Sequence, residues 1–299
     1  MKQALKAVFH RAGGVDAVRW MKRKGVRILM YHRFADAGGL DRQCAHIRKY
    51  YKPIPMSAVA EWLDSRRAPE PYSIAITVDD GYRDFLEVAH PVFAKYGIPV
   101  TVFLVSDFMD GKCWLWFDQV VWAYERARGP EALEEARRLV VEATNMSEAE
   151  RLEFVREAPR SLGVELPVAA PPEYRPLSWD EVRRLAARGV EFGAHTMTHP
   201  ILSAVRGGAR LREEIAGSKA RIEAELGAPV AHFCYPNGRS VDIGAAAVEA
   251  VREAGFRTAV TAEPGLNHAG AERFLLRRIG ADPTHEALYF QRAVAALRI

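Results

Sequence analysis

Seven short apolar runs recur along the chain, at 28–31, 74–78, 100–105, 190–194, 231–235, 258–261 and 274–279. Runs this short and this continuously apolar suit strands that are covered on both faces. The stretches between them carry helical faces. Phe85, Val88, Ala89, Val92 and Phe93 share one face, stopped by Gly97 and Pro99. Ser178-Trp179-Asp180-Glu181 is a capping box, and it opens a helix that ends at Gly189. Leu211, Ile215, Ile222 and Leu226 form another face, closed by Gly227. Strand and helix in alternation predict a parallel α/β sheet or barrel. At 299 residues and 49% hydrophobic, the chain has enough apolar surface for one large domain.

Residues 107–175 break the rhythm. An aromatic cluster (Trp114, Trp116, Phe117, Trp122, Tyr124) leads into a charged helical stretch and a Pro-rich return. This reads as a mainly helical insertion on the barrel. Its aromatics are expected to form a small core of their own, since six Trp need burial.

Charge is unevenly placed. The net charge is +4, yet residues 1–27 hold eight Lys or Arg against one acid, Asp16. The remainder has 34 basic and 37 acidic residues, so the fold itself is slightly acidic. Residues 1–26 therefore read as a basic helical segment ahead of a domain over 27–299. Leu5, Val8 and Phe9, then Val15, Val18 and Met21, fall at helical spacing. Such a helix suits peripheral contact with an anionic membrane through residues 1–24, or packing on the domain. No basic stripe interleaved with aromatics marks the main body, so no nucleic-acid partner is expected. Three scattered cysteines make no disulfide framework, and the start lacks the pattern of a secretory signal. A cytoplasmic setting, peripheral to the inner membrane face, is the expectation.

Chemistry gathers where the runs end. The first ends in Tyr31-His32, the second in Asp79-Asp80, the fourth in His195-Thr-Met-Thr-His199, and the fifth in Phe-Cys-Tyr-Pro-Asn-Gly238. The last carries Arg277-Arg278. In parallel barrels the strand ends on one face carry the catalytic groups. Two adjacent aspartates repel, and burying either is costly unless a cation or hydrogen bonds compensate. Two histidines four apart have the spacing that lets two imidazoles on one helical turn converge on a metal, and an Asp from another strand completes a two-His-one-carboxylate set. That set suits Zn²⁺, with Co²⁺, Ni²⁺ or Fe²⁺ as alternatives.

These motifs resemble the polysaccharide deacetylase family, the NodB-homology domain of carbohydrate esterase family 4. Thr77-Val78-Asp79-Asp80-Gly81 and His195–His199 match its first two motifs. Cys234-Tyr235-Pro236-Asn237-Gly238 aligns with its third. The likeness runs from about Arg27 to Ile279, outside the insertion. It implies a distorted (β/α)7 barrel and a metal-dependent hydrolase that removes N-acetyl groups from an amino sugar in a glycan or glycolipid. It further implies Asp80, His195 and His199 as metal ligands, Asp79 as general base and the Asn237 N–H as oxyanion donor, with a metal-bound water as nucleophile. The chain departs from the pattern in three places. The motif Arg is Cys234, the fourth-motif Asp-Trp is missing, and the C-terminal acid His is absent from 274–279. One branch of the family, including poly-N-acetylglucosamine deacetylases, takes its acid His from an N-terminal strand, which assigns that role to His32. Arg278 is the candidate to replace the missing Arg beside Asp79. The competing expectations are a catalytically inactive sugar-binding relative and a hydrolase of another amide, such as a formamide. The oligomeric state is not legible.

Overall fold

The computed structural model describes residues 14–65 and 67–297. Eight parallel strands form one sheet: β1 (Arg27–Tyr31), β2 (Lys52–Pro53), β3 (Ser73–Val78), β4 (Val100–Leu104), β5 (Glu191–Ala194), β6 (His232–Cys234), β7 (Thr258–Pro264) and β8 (Leu276–Gly280). β1 pairs with both β3 and β8, which closes seven of the strands into a barrel. All seven apolar runs become barrel strands. β2, which the apolar pattern does not mark, is two residues long and pairs with Ser73 and Ile74, below the point where β4 joins at Ile76. The closure is uneven. β5 and β6 share one aligned pair, Ala194 with Phe233, and β7 slips its register against β8 between Val260 and Pro264.

Alternation along each strand sorts side chains into two cores. Ile28, Ala75, Phe103, Cys234, Val260 and Leu276 fill the barrel interior. Leu29, Ile74, Ile76, Val102, Phe192 and Phe233 face the surrounding helices. The inward track therefore continues from Ala75 to Thr77 and Asp79, from Cys234 upward, and from Leu276 to Arg278. Gly193 lies opposite Phe103 on this track. A Cβ there would come 2.4 Å from the Phe103 ring, so the large ring and the missing side chain require each other.

The helices follow their signals. Ser178 and Glu181 make the capping box at Trp179–Ala186, and Gly227 closes Ser218–Leu226 at φ 63°, although the rest of that predicted face is broken: Leu211 lies in a separate short helix, Gly208–Arg212, and Ile215 in a π-turn, Glu213–Gly217. The face predicted as one helix from Phe85 is instead a π-turn, Phe85–Ala89, running into an α-helix at His90–Lys95. Pro91 has no N–H for the carbonyl one turn back, and the His90 N–H bonds the Phe85 carbonyl, five residues away.

Three helices of the stretch between β4 and β5, Trp116–Arg128, Leu133–Ala143 and Glu148–Ser161, stand over the strand ends. Their aromatics do not keep to themselves: Trp114 packs with Tyr82 and Phe108, and Trp116 with Ile201. Trp20, in the helix Gly14–Met21, is 59% exposed, against the expectation that every Trp is buried. In the same helix Val15 is buried, and just beyond it Lys22 Nζ donates to the Ala296 carbonyl at 2.6 Å. The helical spacing of Leu5, Val8 and Phe9 lies outside the described residues.

Candidate active site

All seven residues singled out by their motifs line one cavity of about 500 Å³ at the strand ends: His32, Asp79, Asp80, His195, His199, Asn237 and Arg278. Ladder bonds carry the strands right up to them. The Asp79 N–H donates to Tyr31 O at 2.9 Å, and the His195 N–H to Leu104 O at 2.9 Å. The backbone then turns abruptly, and His195 and His199 lie on an irregular loop, not on the helical turn their spacing suggests. Asp80, Thr196, His199 and Asn237 all sit at positive φ, between 56° and 74°. Such conformations are costly for non-glycine residues, and here they fall within the three motifs. Gly81 follows at φ 84°, and a Cβ there would meet Leu104 at 2.8 Å.

Asp80, His195 and His199 present ligand atoms all within 4.8 Å of one another. Asp80 Oδ1 is 3.5 Å from His195 Nε2 and 3.6 Å from His199 Nε2. It is buried without a hydrogen-bond partner, an arrangement that a divalent cation would satisfy. The other ring nitrogen of His195 lies 2.7 Å from the Cys234 carbonyl, which directs Nε2 at Asp80. Burial, then the neighbouring His195, pushes the His199 imidazole down to about 3, while the burial of His195 is outweighed by Cys234 and Asp80, which push it well up; metal ligation needs both neutral. A second set, Asp79 with His195 and Cys234, is equally compact. It suits a cation poorly, because Arg278 already occupies it.

Arg278 clamps Asp79 with Nη1 to Oδ1 at 2.7 Å and Nη2 to Oδ2 at 2.8 Å. Its Nη2 also lies 3.2 Å from Cys234 Sγ. Both partners of the pair are buried. Burial pushes the Asp79 carboxyl up, but Arg278 and then His32 outweigh it and hold the group well below the usual carboxylate range. His32 is not a buried core histidine. Its side chain is 46% exposed, with Nε2 3.6 Å from Asp79 Oδ2. The Asn237 N–H has no acceptor among the described residues.

Several contributors carried no motif. Glu214, on the far side of a helix boundary, accepts from the Met197 and Thr198 N–H groups at 3.0 Å each, and so fixes the loop between the two histidines. The insertion supplies a wall: the Phe117 ring lies 5.3 Å from that of His199. Asp118 enters the cavity from the same helix and accepts from Tyr82 Oη at 2.6 Å. Burial pushes its carboxyl up to about 7, against the Tyr82 bond and the charge of Arg33. Tyr82, two residues past the aspartate pair, was the available clue; nothing local marks Asp118 or Glu214.

A closed parallel barrel with ionisable groups converging at its strand ends is the architecture of an α/β-barrel enzyme. Comparison narrows the class. A model of the family described as polysaccharide deacetylase matches residues 66–259. The chain belongs to the polysaccharide deacetylase family. YxkH of Bacillus subtilis (strain 168), named for the same family, is 20% identical over 293 residues, covering 94% of this chain and 81% of YxkH. Among solved structures, IcaB from Ammonifex degensii aligns at 18% identity and TM-score 0.62, over 91% of this chain and 96% of that one. The de-N-acetylase from Aggregatibacter actinomycetemcomitans aligns at 15% identity and TM-score 0.63, over 90% and 99%. Streptococcus pyogenes deacetylase PplD, in complex with acetate, aligns at 18% identity and TM-score 0.60, over 87% and 93%. At these identities the structural likeness speaks for the fold.

Proposed function

We propose that this chain is a metal-dependent hydrolase that removes N-acetyl groups from an N-acetylamino sugar in a glycan or glycolipid. The observation that carries the reading is the pair of adjacent buried aspartates with opposite surroundings. Asp79 is clamped by a guanidinium, while Asp80 faces two imidazoles with an oxygen left unpartnered. In this reading Asp80, His195 and His199 hold the cation, Zn²⁺ first, with Co²⁺, Ni²⁺ or Fe²⁺ as alternatives. When bound, such a cation supplies Lewis acidity to the acetamide carbonyl and acidifies water.

The remaining work falls to the chain's own groups. Asp79, kept ionised and oriented by Arg278, takes a proton from the attacking water. In this reading Arg278 takes the part of the motif Arg that Cys234 replaces, supported by its bidentate contact with Asp79. The Asn237 N–H donates to the oxygen that gains charge as the carbonyl is attacked. His32, at the cavity mouth within reach of Asp79, protonates the nitrogen as the C–N bond breaks, leaving acetate and a free amine. Two structural relatives, a de-N-acetylase and a deacetylase in complex with acetate, support the reaction class.

The same proposal treats residues 1–26 as a surface segment on a domain over 27–299, with residues 1–24 biasing the protein towards anionic membranes on the cytoplasmic side. Exposed Trp20 and Met21 beside Lys22 and Lys24 support this. No described helix is long and apolar enough to cross a membrane. The deciding experiment is acetate release from N-acetylhexosamine polymers, sugar nucleotides and glycolipids, with metal added and removed. Metal-dependent release is expected; no release from any of them with stoichiometric metal bound overturns the reading.

A further inference from the structure

A second cavity, of about 870 Å³, adjoins the catalytic one and shares Trp116 and His199 with it. Its other walls come from residues 113–119, the insertion helix Glu148–Ser161 with the chain that follows it to Leu166, and the chain around His199 with Arg210. Four arginines line it. Arg156, Arg160 and Arg210 each have a carboxylate within ion-pair distance. Arg151 has none among the described residues, although it is only 2% exposed. Its Nη1 is buried without a hydrogen-bond partner. The nearby acid, Glu148, is engaged by Arg210 at 3.2 Å. The Arg151 guanidinium lies 5.6 Å from the centre of the Trp116 ring, and Trp116 Nε1 is likewise buried and unpartnered.

Two buried donors without an acceptor, one of them fully charged, are expensive to maintain. The Trp116 ring face and the more distant charge of Glu148 offset part of the Arg151 charge, and no carboxylate pairs with it directly. An oxyanion would supply the missing direct counter-charge, and a guanidinium fork matches its geometry. We propose that this cavity is a subsite for an oxyanion carried by the substrate, a phosphate or a carboxylate, held by the Arg151 guanidinium. The inference rests on the deacetylase reading for what occupies the neighbouring cavity, and it names the substrate class: an acidic or phosphorylated N-acetylamino sugar. The anion binds on the far side of His199, so it positions the sugar without entering the reaction.

The test uses the full chain with metal bound. Calorimetry compares N-acetylglucosamine, N-acetylglucosamine 1-phosphate and 2-acetamido-2-deoxyglucuronate, with acetate release followed in parallel. The parent protein is expected to bind at least one acidic sugar about tenfold or more tightly than the neutral one, as a charge-assisted contact allows. Arg151→Gln is expected to erase that preference and leave neutral-sugar binding within about twofold. Its Tm is followed as the check that the variant folds. Arg151→Met, which keeps the apolar stem, replaces it if the Gln variant folds poorly. Preference for the phosphate alone assigns a phosphorylated substrate, and preference for the uronate alone an acidic sugar. Equal affinity for all three sugars in the parent, or a preference that survives both Arg151 variants, overturns the subsite. Acetate release without preference removes the subsite and leaves the deacetylase reading. Preference without release from any sugar does the reverse.

Discussion

Asp79 and Asp118 line the same cavity, are both buried, and are pushed in opposite directions. The difference is the neighbour: a bidentate guanidinium for one, a phenol for the other. As the proposed base, Asp79 has a specific loss to show. Asp79→Asn should retain metal by elemental analysis and lose kcat by on the order of a hundredfold or more. Metal lost from Asp79→Asn but kept by Asp80→Asn would mean that the two carboxylates exchange roles. Asp118 makes a stability prediction. Folded, it keeps its proton up to about 7; unfolded, it releases it near the ordinary 3.8. Folding takes up a proton between those limits, so its contribution falls as pH rises through them. Tyr82 and Arg33 oppose the shift, while Asp80 and Asp84 add to it. Asp118→Asn removes this dependence. Its Tm relative to the parent should therefore rise between pH 5 and pH 8; a difference that stays flat would contradict the assignment.

Among the elements, the helix Trp179–Ala186 shows how a local signal comes to serve the site. Its capping box is legible in four residues, and Glu181 does a second task that they do not reveal. Glu181 Oε1 also receives Arg83 Nε at 3.1 Å, tying the helix start to the chain just beyond the aspartate pair. Ser178→Ala removes one side of the box and should cost about 1 kcal/mol in urea denaturation. β5 offers a harsher case. Gly193→Ala overpacks the barrel interior against Phe103 and should cost about 1–3 kcal/mol. Unchanged stability there would mean that the ring has room to move. Elements that went unread fail for physical reasons. β2 is too short to show a pattern, and the π-turn at Phe85 depends on a hydrogen bond that Pro91 cannot make.

Across the whole molecule, the cation and the fold should be linked. If Asp80, His195 and His199 hold the metal, Zn²⁺ at a hundredfold excess over Kd should stabilise the protein by about 2.7 kcal/mol. His195→Ala combined with His199→Ala should abolish the metal-dependent rise in Tm; full stoichiometric binding by that variant rules the site out. At the same scale, sedimentation with anionic vesicles should fall as salt rises and vanish on truncation at Lys24. Binding that ignores salt would reject a charge-driven contact. The linear chain by itself determined the alternation of strand and helix, the strand ends that carry Asp79, Asp80, His195 and His199, and the parity that puts Leu276 and Arg278 on one face and Arg277 on the other. Those are properties of neighbours a few residues apart, where spacing alone sets geometry. Closure of the barrel through β1 decided which face is inside. It brought Arg278 to Asp79 across 199 residues and Cys234 into contact with both. The insertion's Asp118 and Arg151 reached their cavities in the same way. Their burial and partners arise from packing between distant segments, and no local pattern encodes how far a charge ends up from water.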